Sequence, residues 1–132
     1  MAVSGLPQAL LKRIRLTKAT PTTFTVPAGH RYYLASGAIT YTASAAVATR
    51  VVTIYINDGT MERWLSKFDV TASQVLHWQM GILNWAYATS IATGAGETNY
   101  PMMAGDVMNV SIAAADAGDA WLCDFDVWDV VV

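Results

Sequence analysis

At 132 residues, 54 % apolar and 14 % charged, the chain is long enough for one domain with a substantial core, yet it carries little more than half the ~25 % charge usual for a soluble domain. No stretch of ~18 uninterrupted apolar residues excludes a transmembrane helix, the start lacks the basic-then-apolar order of a signal peptide, and the single cysteine, Cys123, excludes an internal disulfide. A net charge of −2 without alternating basic and aromatic residues argues against nucleic-acid binding.

Low charge predicts that part of the outer surface is covered by partners, and the lone cysteine fits synthesis in a reducing cytoplasm. The charges are segregated. All eight Lys and Arg lie between Lys12 and Lys67, so residues 1–67 carry +6 after Asp58 and Glu62 are counted. Residues 68–132 hold eight carboxylates and no Lys or Arg. Either the halves pair within one fold, or a basic patch on one subunit meets an acidic patch on the next.

Residues 1–20 read as an N-terminal arm with a basic side. Leu10 and Ile14 would share a helical face, while Ile14 and Leu16 alternating with Arg13 and Arg15 would suit a strand. Pro21 ends the segment in either case. From residue 21 to 132 a single β-sandwich domain is expected. Phe24 and Val26 alternate with threonines before a Pro27-Ala28-Gly29 turn. Residues 31–43 form a long β-prone run with a candidate bulge at Gly37. Val52, Ile54 and Ile56 share one strand face, and Asp58-Gly59 is a turn signal. A weaker strand follows at 62–68.

Leu76, Trp78, Met80 and Ile82 alternate with Val75, His77 and Gln79. Residues 83–100 read as a long loop around Gly94-Ala95-Gly96, with room for one short strand. Met108, Val110 and Ile112 define the next strand. The last places Trp121, Cys123, Phe125 and Val127 opposite Asp124 and Asp126. About eight short strands at this spacing predict an all-β, antiparallel sandwich of the jelly-roll kind.

Candidate chemistry is sparse. His30 and His77 lack metal-ligand spacing and no cysteine pair accompanies them. No Gly-x-Ser-x-Gly elbow is present, and Gly94-Ala95-Gly96 lacks the lysine of a phosphate loop. Cys123 alternates with core positions, as an inert thiol would. Asp124 and Asp126 could form a hydrolytic pair or, with Asp129, bind a cation; an acidic stripe that discourages edge pairing is the simpler reading. Catalytic, cofactor and metal sites are therefore expected to be absent. Of the five tryptophans, Trp78 and Trp121 fall on core faces. Trp85 lies in the long loop and Trp128 follows a change of phase. With Trp64 and Tyr87 they are candidates for a ligand or subunit contact.

Val26-Pro27-Ala28-Gly29-His30-Arg31, then Arg50-Val51-Val52-Thr53-Ile54-Tyr55-Ile56-Asn57-Asp58-Gly59, then Tyr100-Pro101-Met102-Met103-Ala104-Gly105-Asp106, resemble the turn-and-strand texture of small jelly-roll virion proteins of tailed bacteriophages. The resemblance covers roughly residues 22–112, with His30 where Lys or Arg is more usual. It implies a non-enzymatic capsid decoration or cement protein located on the virion, made in the host cytoplasm and often trimeric. Its partners would be the major capsid protein or other virion proteins, with neither nucleic acid nor membrane. Arg13, Arg15 and Lys18 would then contact an acidic capsid surface. The alternative is a tail-associated adaptor, or a receptor- or glycan-binding domain using Trp64, Trp85, Tyr87 and Trp128.

Overall fold

The computed structural model describes residues 9–80, 86–88 and 100–132. They form ten strands: β1 Ala9–Thr17, β2 Thr23–Thr25, β3 His30–Thr42, β4 Arg50–Asn57, β5 Glu62–Val70, β6 Val75–Met80, β7 Ala86–Ala88, β8 Tyr100–Met102, β9 Val107–Ala113 and β10 Ala120–Val131. A six-stranded sheet runs β1-β10-β3-β6-β7, with β8 also on β3; a four-stranded sheet runs β2-β9-β4-β5. Every pairing is antiparallel.

The pairings nest like a folded ribbon. β1 joins β10, β2 joins β9, β3 joins β6 and β4 joins β5. Wrapping that ribbon closes the β10–β3 and β9–β4 ladders as well. Eight strands wound in this way are a jelly roll. β7 and β8 are three-residue additions within the connection from β6 to β9. The candidate Gly94-Ala95-Gly96 loop and Ile82 lie outside the described residues.

The core follows from period-2 alternation. Leu34, Ile39 and Tyr41 of β3, Leu76 and Trp78 of β6, and Cys123, Phe125 and Val127 of β10 point inward from one sheet. Val52, Ile54 and Ile56 of β4, Phe68 and Val70 of β5, and Met108 and Val110 of β9 meet them from the other. Burial pushes the Cys123 thiol up to about 12, which keeps it a protonated, packed group.

Four local expectations are corrected. The N-terminal arm is instead an edge strand: Ala9–Thr17 pairs along its whole length with β10, with Leu16 buried opposite Cys123. Alternation wins over the helical spacing because Ile14 and Leu16 complete the core over Phe125 and Cys123. The β3 bulge falls at Ala35, between Leu34 paired to Val127 and Ser36 paired to Asp126, and not at Gly37. Consequently β10 shows no change of phase at Trp128; that residue simply continues the outward-facing row. Finally, β10 is an inner strand between β1 and β3, so Asp124 and Asp126 do not guard an edge.

Gly37 has a different purpose. A Cβ there would meet Phe125 Cδ1 at 3.0 Å and Trp78 Cζ3 at 3.2 Å. Its absence lets both rings close over β3. Gly37→Ala is expected to destabilise by about 1–3 kcal/mol, the usual cost of overpacking. A urea unfolding curve would check this through a lower midpoint at unchanged slope.

Gly29 sits at φ 78° in the turn before β3. Only glycine adopts that conformation without strain. The turn is closed by the His30 amide donating to the Pro27 carbonyl at 3.2 Å.

Candidate functional site

The charge segregation resolves within one chain. Arg50 opens β4 and Asp119 precedes β10; both are fully or almost fully buried. Arg50 Nε donates to Asp119 Oδ2 at 2.9 Å and Nη2 to Oδ1 at 3.0 Å. The remaining guanidinium hydrogens go to the Ala46 and Ala48 carbonyls and Ser44 Oγ. Asp119 also accepts the Tyr41 hydroxyl at 2.6 Å and the amides of Ser44 and Asp116. Burial pushes the Asp119 carboxyl up, but Arg50, the Ser44 amide, Tyr41 and the Asp116 amide outweigh it and hold it far below the usual range.

This cluster clamps the β3–β4 and β9–β10 loops at one end of the sandwich. Its donors and acceptors are spent on each other, which makes it structural. A carboxylate depressed in the folded state stabilises fully above its unfolded pKa, about 3.9. That contribution is lost as pH falls toward the folded value. Thermal melts should therefore hold their midpoint down to about pH 4 and decline below it. The decline should be shallower in Asp119→Asn.

A second set lies on the outer face of the six-stranded sheet. Arg13 donates to Asp126 through Nε at 2.8 Å and Nη2 at 3.2 Å, and Arg15 to Asp124 at 2.8 and 2.9 Å. Ser36 Oγ donates to Asp126 Oδ2 at 3.0 Å. The Arg13 hydrogen bonds draw the Asp126 carboxyl down against the opposing effect of burial. Both carboxylates line a shallow depression of about 280 Å³ with Arg13, Ser36 and Gln79. Each already accepts a two-pronged arginine, so neither is available as a general acid or base.

At one end of this face a row crosses four strands in register: Leu11 on β1, Trp128 on β10, Tyr33 on β3 and Pro101 on β8. Leu11 is 58 % exposed and Trp128 40 %. Leu122, also 40 % exposed, lies near the other end of β10.

The four-stranded sheet carries its own outward row, Thr23, Asn109, Tyr55 and Trp64. Trp64 is 55 % exposed. Its ring lies 6.5 Å from Tyr55, its Nε1 donates to Glu62, and the Lys67 ammonium sits 5.9 Å from its centroid.

The structure therefore separates residues that the sequence grouped. Trp64 and Trp128 occupy opposite outer faces and cannot line one site. Trp85 and the Tyr87 side chain lie outside the described residues. Lys18 does not join Arg13 and Arg15; its ammonium donates to the carbonyls of Ala117 and Asp119 and lies 5.9 Å from the Trp121 centroid. Trp121 is half-buried and stacks on Tyr41 at 5.7 Å.

Sequence reasoning missed Tyr33 and Leu11, because a row across a sheet is visible only once register is known. It also missed the partner of His30, whose Nδ1 lies 2.6 Å from Asp129 Oδ1; Lys12 Nζ donates to the other Asp129 oxygen at 3.1 Å. Among the described residues no group of three or more His, Cys, Asp and Glu side chains converges to hold a metal ion.

No family model and no curated protein matches this chain. Among solved structures it is similar to a chain of the "Structure of infectious bursal disease virus Gx strain", with 14 % identity and a TM-score of 0.29. The match covers 96 % of this chain and 41 % of that one, so this chain spans less than half of its length. An overlap that slight supports nothing about role; the jelly-roll architecture rests on the strand pairing itself.

Proposed function

We propose that the protein is a non-enzymatic structural protein of a tailed-phage virion, a decoration or cement protein that binds across capsid subunits. One observation carries this reading. Each sheet of the jelly roll puts a partly exposed tryptophan on its outer face, Trp128 on one side and Trp64 on the other. A subunit with two opposed aromatic surfaces can be held from both sides, as a protein that joins neighbours must be. Arg13 and Arg15, on the same face as Trp128, are already paired with Asp126 and Asp124, so that part of the face offers contact area in place of reactive groups. Binding only the assembled shell would stabilise that shell by mass action. The sequence resemblance to virion jelly rolls and the low overall charge point the same way.

The test uses heads stripped of this protein. Adding it back should raise their temperature of heat disruption, and Trp64→Glu should reduce occupancy at least tenfold. Unchanged heat resistance at full occupancy would remove the cement role. Glycan binding is the second reading, favoured by Trp64 and Tyr55 in register with Asn109. A glycan array with reproducible binding lost in Trp64→Ala would establish it over cementing.

A further inference from the structure

The part of the outer face made by β1 and β10 is self-complementary. The edge strand β1 and its neighbour β10 present five matched outward pairs: Ala9 with Val130, Leu11 with Trp128, Arg13 with Asp126, Arg15 with Asp124, and Thr17 with Leu122. On this face the β1 column is basic in the middle and the β10 column acidic. Both columns are apolar near the Leu11–Trp128 end. The four central charges cancel within the ladder, Arg13 with Asp126 and Arg15 with Asp124.

Consider a two-fold axis lying parallel to these strands, midway between β1 and β10 and above the face. It sets β1 of one copy over β10 of the other, and the reverse. Leu11 then covers Trp128 of the second copy, and Thr17 covers Leu122. Arg13 and Arg15 face the second copy's Asp126 and Asp124, so each arginine lies between two carboxylates. Opposed sheets pack ~10 Å apart within about 30° of alignment, which this arrangement allows. An isologous contact of this kind closes on itself. A head-to-tail or three-fold contact would instead need a second, different patch complementary to this one.

From this geometry we infer that the Leu11–Trp128 face is a homodimer interface, occupied by a second copy of this chain about a two-fold axis. The inference does not depend on a virion role. It leaves both Trp64 faces turned outward, one on each side of the dimer.

Sedimentation equilibrium of the full chain tests it. The expected mass is twice the 14.2 kDa subunit. Trp128→Glu and Leu11→Glu should each weaken association by about 30-fold or more, as loss of an interface anchor does. Trp64→Glu, on the opposite face, should leave it unchanged. Far-UV circular dichroism confirms that each variant is folded.

A charge swap tests the register. Arg15→Asp with Asp124→Arg keeps the pair within each copy and should self-associate like the native chain. Mixed with native chain, it should form few heterodimers, because two arginines and two carboxylates would oppose one another. A monomeric or trimeric mass, a dimer indifferent to Trp128→Glu, or free mixing with the swapped variant would each overturn the proposal.

Discussion

Replacing Trp78 with alanine is expected to cost about 3–5 kcal/mol, the range for deleting a fully buried aromatic. Trp78 has no solvent exposure. It sits on β6 between the sheets, its ring 6.2 Å from Phe68 in an edge-on contact and its Nε1 donating to Ser66 Oγ at 3.1 Å. Both partners are on β5, so one side chain fastens the six-stranded sheet to the four-stranded sheet. Removing it opens a cavity that the surrounding strands, held in two ladders, cannot close. Trp78→Phe should cost less than half as much, because most of the ring volume remains. Chemical denaturation monitored by circular dichroism measures both, and equal losses would mean that the indole hydrogen bond dominates over packing.

Asp119→Ala is expected to cost about 3 kcal/mol, the low end for breaking a buried pair, since the cluster lies under loops at one end of the sandwich. For a domain of this size that lowers the melting midpoint by about 10 °C. The loss comes mostly from what is stranded: the Arg50 guanidinium, the Tyr41 hydroxyl and the Ser44 and Asp116 amides all lose an acceptor. The double variant Arg50→Met, Asp119→Leu should therefore be more stable than Asp119→Ala alone, because it removes both charges together. A double variant less stable than the single would show that the loop carbonyls and amides, and not the charge pair, dominate the cluster.

The jelly roll was legible because its inward residues alternate cleanly in β4, β6, β9 and β10, and because Pro27-Ala28-Gly29 and Asp58-Gly59 punctuate them. β1 was ambiguous for a physical reason. Leu10 and Ile14 suit a helical face while Ile14 and Leu16 suit a strand, and only the Phe125–Cys123 surface that receives Ile14 and Leu16 decides. Charge segregation was visible in the sequence, but not which of its two meanings held. Arg13, Arg15, Lys12 and Arg50 meet Asp126, Asp124, Asp129 and Asp119 of the same chain.

The contact surfaces were less legible still. A tryptophan's exposure depends on the phase of its strand, and the bulge at Ala35 lies on β3, leaving the β10 alternation intact through Trp128. Leu11 and Tyr33 become neighbours of Trp128 only through cross-strand register. That register joins Trp128 to residues near the other end of the chain.

The role proposed for these faces is assembly on a particle. Immunogold electron microscopy of gradient-purified phage particles whose genome encodes this chain tests it most directly. The expected result is regular labelling of the head, with the protein present at a fixed copy number per particle. Particles free of the protein, while the infected cell contains it in soluble form, would contradict the claim.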